Sequence, residues 1–257
     1  MAEHDRVTTD TSSCLGISLI AINRPNRKNA VDPSTAKALY EAILVFENDL
    51  KQKVCVLTGA GGSFCAGADL HSVAQANNDT PGDNLQPVDG RNLGPMGPSR
   101  LIIKKPVICA ISGYAVAGGL ELSLLADMRV VEEDTVFGVF CRRWGVPLID
   151  GGTVRLQAIV GLGRALDMIL TGRPVSAQEA LAMGLASRVL ITFPELCLNT
   201  DRQSCYYSAY EASSFQDAMY QEFNAGSKVI SQEAIAGATK FSKGAGRHGS
   251  FKGHSNL

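Results

Sequence analysis

Apolar positions along the first two thirds of the chain switch between a period of about two and a period of about 3.6. Residues 15–23, LGISLIAIN, read as a strand that stops at Arg24-Pro25. Asp32-Pro33 then opens a helix, an N-cap followed by proline in the first turn. Over 34–50 that helix gathers Ala36, Leu39, Tyr40, Ile43, Phe46 and Leu50 on one side. A second strand is expected at 53–58, KVCVLT, with Gly59–Gly62 as its turn, and a third at 106–113, PVICAISG. Gly118-Gly119 precede a helix expected over 120–127, and 128–138 reads as a further strand and turn. The segments 153–161, 164–172 and 176–184 are amphipathic and each stops at glycine, the residue that most readily closes a helix. Beyond residue 189 the pattern thins. Room remains for two more helices before a polar tail from 243.

Residues 71–100 break the periodicity. They are rich in Asn, Asp, Gly and Pro and read as a mobile loop that covers a site. Strands alternating with helices, then a helical last third, predict an α/β core with a helical appendage. The division falls between 1–189 and 190–257.

Composition narrows the class. The 257 residues are 45% hydrophobic and 19% charged, enough for a sizeable core, with a formal net charge of −1. No global basic field is available to recruit nucleic acid or an anionic membrane, and no apolar run reaches the length of a membrane span. Seven cysteines (14, 55, 65, 109, 141, 197 and 205) include no CxxC pair and are expected as buried, reduced thiols. Four dispersed histidines suggest no metal cluster. The polar, acid-containing amino-terminal stretch reads as neither secretory signal nor transit peptide. The final SNL lacks the central Lys of the peroxisomal SKL address. A cytoplasmic protein is expected, with mitochondrion and peroxisome as alternatives.

Two stretches place small residues just before a helix: GGSFCAGADL at 61–70 and SGYAVAGGLEL at 112–122. Small residues let another molecule approach the backbone, and two amides aimed at one point hold a developing oxyanion. Tight strand-to-helix packing needs the same residues. Neither stretch matches a nucleotide-binding glycine motif. A third stretch, FGVFCRRWGVPLIDGG at 137–152, sets Asp150 before two glycines, as a turn residue or as a proton carrier.

Taken together and in order, these blocks resemble the crotonase superfamily, the enoyl-CoA hydratases and isomerases. The resemblance runs from NRPNRKNAVD (23–32) through LTGAGGSFCAGADL (57–70), ICAISGYAVAGGLELSLLADMRV (108–130) and FGVFCRRWGVPLIDGGTVRL (137–156) to LTGRPVSAQEALAMGLASRV (170–189). It implies a crotonase fold, repeated ββα turns in a spiral core with a carboxy-terminal helical region that trimerises, as a homotrimer or a dimer of trimers. It also implies an acyl-CoA thioester ligand, CoA being part of the substrate, with no separate cofactor and no metal. The amides that polarise the thioester carbonyl map to Ala68 and Gly118. Ala66, Asp69 and Leu70 border the first of these as substrate contacts. Arg24 and Lys28 are the basic residues expected near CoA, and Phe241 and Lys243 fall where the last helix of such proteins meets it.

The resemblance also has departures. Of the two glutamates used by hydratases of this family, the first corresponds to Glu121, but counting on to the second lands on Cys141. A naphthoate-synthase branch has a similar Asp-Gly-Gly turn whose Asp belongs to the active site, so Asp150 is the candidate second acid/base group. After residue 189 the helical region looks shortened. Three functions follow as alternatives: hydration, dehydration or double-bond shift through a thioester enolate; carbon–carbon chemistry of the naphthoate-synthase type; or an inactive acyl-CoA-binding protein.

Overall fold

The computed structural model describes residues 6–75, 85–187 and 195–243. Two compact units divide the chain, 1–189 and 190–257. In the first, from β3 onward, each turn of a spiral sends one strand to a large sheet and one segment to a smaller layer. The large sheet runs in the order β1 (Val7–Asp10), β2 (Ile17–Ile22), β3 (Val54–Gly59), β4 (Val107–Ile111) and β6 (Met128–Val131). β1 is antiparallel to β2, and the other pairs are parallel. The smaller sheet orders β5 (Tyr114–Val116), β7 (Val136–Gly138) and β8 (Val175–Ser176). Cys65 joins its edge through a parallel bridge to Ala115.

Alternation along the strands sets the core. Ile20, Ile22, Cys55, Leu57, Val107, Cys109 and Ile111 point inward and are buried. Against them lies α1 (Pro33–Asn48), with Ala36, Leu39, Ile43 and Phe46 buried. Asp32 caps α1 by accepting from Thr35 N, with Pro33 in the first turn. At the other end the Lys105 ammonium donates to the carbonyls of Phe46, Asp49 and Gln52, a cation on the negative end of the helix.

The helices that carry the site are short. α2 is Leu70–Gln75, α3 is Gly118–Ser123 and α4 is Gly152–Val160; α5 (Leu162–Thr171) and α6 (Ala177–Ala182) complete the unit. α3 stops four residues before the pattern predicts. The buried Arg129 guanidinium donates to Ser123 O and Ala126 O, taking carbonyls that a longer helix would have used. The span expected as one strand over 128–138 is two, β6 and β7, which belong to different sheets.

The second unit holds α7 (Glu195–Tyr210) and α8 (Phe215–Val229), the latter continued through a π turn, Ile230–Ala234, into α9 (Ile235–Ser242). Glu233 accepts from Leu196 N and Cys197 N, clasping the start of α7. All seven cysteines are unpaired; Cys14, Cys197 and Cys205 are exposed, against the expectation of burial. Each of the three lies on a surface loop or a solvent-facing helix side rather than in a strand. No helix among the described residues is long and apolar enough to cross a membrane. No cluster of three metal-ligating side chains occurs among them either.

Candidate active site

Two backbone amides in the small-residue turns are left without an acceptor among the described residues. In the stretch 65–69 the N–H groups of Cys65, Ala66, Gly67 and Asp69 all donate, to Tyr114 O, Lys28 O, Cys65 Sγ and Val31 O. Ala68 N–H donates to nothing among the described residues, and the same holds for Gly118 N–H at the start of α3. The two turns are in contact. A Cβ added at Gly67 would stand 2.9 Å from Gly118 N, and one added at Gly119 would strike Cys65 O. Ala117, just before α3, has φ +54° and ψ −127°, an unfavourable conformation for a residue with a Cβ. This sets the direction of the Gly118 amide. The Met96 side chain closes the other flank: its Sδ would be 2.7 Å from a Cβ at Gly118.

Two carboxylates lie close by. Glu121, on the first turn of α3, is 3% exposed, and Asp150 is 4% exposed. Glu121 Oε1 accepts from Asp150 N and Gly152 N, both at 2.9 Å. Asp150 Oδ1 accepts from Met96 N at 2.9 Å and from the Ser99 hydroxyl. Each carboxylate is thus pinned by one oxygen. The second oxygen of each accepts no hydrogen bond from any described residue. A side chain at 152 has no room, since a Cβ there would sit 2.8 Å from Glu121 Cγ and Oε1. Arg155, from α4, ties the surroundings together: its guanidinium donates to Ser99 O at 2.7 Å, Leu101 O at 3.2 Å and Asp150 O at 3.4 Å.

Burial pushes Glu121 up to about 7, with the neighbouring Asp150 charge adding to the shift and the two amides opposing it. Burial also raises Asp150, but the Ser99 hydroxyl, the Met96 amide and the Arg100 and Arg155 charges favour its ionised form. Cys141 is buried and its thiol is raised by desolvation and by Glu121, against only weak help from Arg142. The flanking arginines therefore do not turn it into a thiolate. Arg142 Nε donates to Ile169 O, and the Arg143 guanidinium lies 4.4 Å from the Phe140 ring centroid.

The remaining expected contacts separate. Arg24 is spent on the fold: its guanidinium pairs with Asp32 and Asp69, both at 3.0 Å, and donates to Ala30 O. Asp69 is buried as its partner and also accepts from His71 N. These two, expected at CoA, form an internal clasp between the β2–α1 loop and the start of α2. Lys28 keeps its ammonium at the surface, 4.4 Å from the Tyr114 ring centroid, and Leu70 is exposed. Ala66 anchors the turn through its amide. Lys243 follows α9 in the second unit, exposed; Phe241 belongs to α9, its side chain outside the described residues.

The expectation of a loose cover over 71–100 changes most. Its first residues form α2, and 76–84 lie outside the described residues. From Arg91 onward it is packed. Arg91 pairs with Glu47 at 2.5 Å, Tyr40 OH donates to Arg91 O, and Met96 and Ser99 are buried. Met96, Ser99 and Arg155 are thus site residues that periodicity did not reveal. The partial signals were a glycine pair, Gly94 and Gly97, joined by reciprocal amide–carbonyl bonds, and an Arg one turn into α4.

Comparison with known proteins gives four similarities. A family model described as enoyl-CoA hydratase/isomerase matches residues 13–245. The enoyl-CoA hydratase EchA19 of Mycobacterium tuberculosis is 36% identical over 179 residues, 67% of this chain and 64% of that protein. The chain thus spans less than two thirds of that relative's length. A short-chain-enoyl-CoA hydratase of Clostridium acetobutylicum is 34% identical over 192 residues, 73% of this chain and 69% of that one. Among solved structures, an enoyl-CoA hydratase of Mycobacterium tuberculosis H37Rv superposes with a TM-score of 0.80 at 29% identity, covering 93% of this chain and 96% of that chain.

Proposed function

Because the chain belongs to the enoyl-CoA hydratase/isomerase family, of crotonase fold, we propose that it binds an acyl-CoA and interconverts 2-enoyl and 3-hydroxyacyl thioesters, or shifts the double bond, through an enolate. The observation that carries this reading is the pair of half-pinned buried carboxylates, Glu121 and Asp150, beside two undonated amides. The thioester oxygen would take Ala68 N–H and Gly118 N–H, which stabilise the enolate charge without reorganising.

At neutral pH one proton and one charge divide between the two acids, as expected for coupled buried carboxyls. Asp150 holds the charge, because its anchors favour the ionised form; Glu121 holds the proton. Asp150 Oδ2 accepts a proton from water as the water oxygen bonds to C3. The C2–C3 electrons move into the enolate, and Glu121 Oε2 delivers its proton to C2 as the carbonyl re-forms. Exchange with solvent resets both groups, and the reverse sequence is dehydration. CoA enters as part of the substrate, and general acid–base chemistry of this kind calls for no separate cofactor. Lys28 at the surface remains the contact we favour for CoA phosphate. We further propose a homotrimer or dimer of trimers and a cytoplasmic location.

The test is mass spectrometry of acyl- and enoyl-CoAs incubated with the purified protein in D2O. Deuterium at the α-carbon or added water, lost in Glu121→Gln, is expected. Tight binding with neither would replace the proposal with that of an acyl-CoA-binding protein.

A further inference from the structure

Asp150 presents an unusual anchoring. Its Oδ1 is held from a segment fifty residues upstream, by Met96 N–H and by the hydroxyl of Ser99, which is 1% exposed. Ser99 is itself fixed through its carbonyl by Arg155. Gly94 leaves the space for it, since a Cβ there would strike Ser99 Oγ and come within 3.2 Å of Asp150 Oδ1. Asp150's own amide meanwhile holds Glu121 Oε1. Residue 150 is therefore the hinge between the two acids.

We propose that Ser99 is a positioning residue: its hydroxyl locks Asp150 Oδ1, keeps the charge of the carboxylate pair on Asp150, and leaves Oδ2 facing the substrate. This rests on the assignment of Asp150 as base. A hydroxyl has one proton, and here it points at a buried carboxylate oxygen already facing an amide N–H. Two donors on one oxygen favour ionisation of Asp150 over Glu121, whose donors are two amides without a hydroxyl. The other charged or titratable groups around the pair are Arg100, which follows Ser99, Arg155 on α4 and Cys141 beside Glu121. None is a third donor to Asp150 Oδ1.

The sign is definite. Ser99→Ala removes a donor to the ionised form, so Asp150 should titrate at higher pH. With crotonyl-CoA as substrate, the ascending limb of kcat should move up by roughly one pH unit, with KM little changed. Ser99→Thr, which keeps the hydroxyl, should restore it. Gly94→Ala, which displaces the hydroxyl without removing it, should reproduce the alanine phenotype.

A second readout needs no turnover. In denaturant unfolding, the penalty of Ser99→Ala should be about tenfold larger in the unfolding constant near pH 8 than near pH 4. It should lose that pH dependence in the Asp150→Asn background. A penalty flat with pH, or one that persists in Asp150→Asn, would make Ser99 ordinary packing and overturn the proposal. If instead Asp150→Asn hydrates crotonyl-CoA at full rate while the unfolding cycle behaves as expected, the base assignment fails and the Ser99 lock stands.

Discussion

At the scale of single residues, Glu121 is held in a place that favours its neutral form. Its folded value of about 7 lies above the ordinary 4.5. A raised carboxyl contributes stability that is fully present below its unfolded value and is lost as pH rises through the folded one. Between about pH 4.5 and 7 the native state should therefore lose roughly 2 to 3 kcal/mol through this group. Glu121→Gln keeps a carbonyl oxygen able to accept from Asp150 N and Gly152 N. Urea unfolding should find it more stable than the native protein near pH 8 by up to that amount, and little different near pH 4. Hydration should fall by at least about a hundredfold. A glutamine variant less stable than the native chain at both pH values would mark Glu121 as a structural anion instead.

At the scale of elements, the site is a meeting of two helix starts. α3 delivers Glu121 and Gly118, while the loop into α4 delivers Asp150 and the amides that hold Glu121. Gly152→Ala should displace the Glu121 carboxylate, because the added carbon would fall 2.8 Å from its Oε1. A displacement of that kind is expected to lower kcat roughly a hundredfold while the protein still binds acyl-CoA, measurable by turnover against equilibrium binding. Undiminished kcat would mean that the α4 loop yields freely. Much of this arrangement was legible beforehand. Asp32-Pro33 announces α1 and the terminal glycines close α4 and α5, because caps are local chemistry. What could not be read was long-range. The Arg129 guanidinium that cuts α3 short is buried, and its carbonyl partners lie in a stretch that reads as helix. The Ser99 and Met96 donors come from a segment without periodicity and reach a carboxylate more than fifty residues away. Composition alone makes such a segment look like a loose loop. Arg24 shows the opposite case: a cation in a loop near a ligand site reads as a phosphate contact, while in the fold it pairs with the partly buried Asp32 and the buried Asp69.

At the scale of the whole molecule, each unit presents apolar side chains to solvent at helical spacing. On α5 these are Leu162, Leu166 and Leu170; on α8 they are Phe215, Met219 and Phe223, with Tyr220 beside them. An apolar stripe of this kind, repeated every four residues, is what a helix buries against another element. Contiguous exposed apolar surface is uncommon on a monomer and marks contact with another chain. With a formal net charge of only −1, long-range self-repulsion does little to keep copies apart. The trimer proposal therefore predicts that the purified chain sediments as a trimer or a dimer of trimers. Replacing Phe215 and Phe223 with glutamate should shift it toward single chains, because each charge would have to be desolvated in a contact. Folding of the variant can be followed by circular dichroism, so that loss of assembly is separated from loss of structure. A native chain that sediments as a monomer at micromolar concentration would defeat the proposal and leave both stripes to be covered by something other than a copy of this chain.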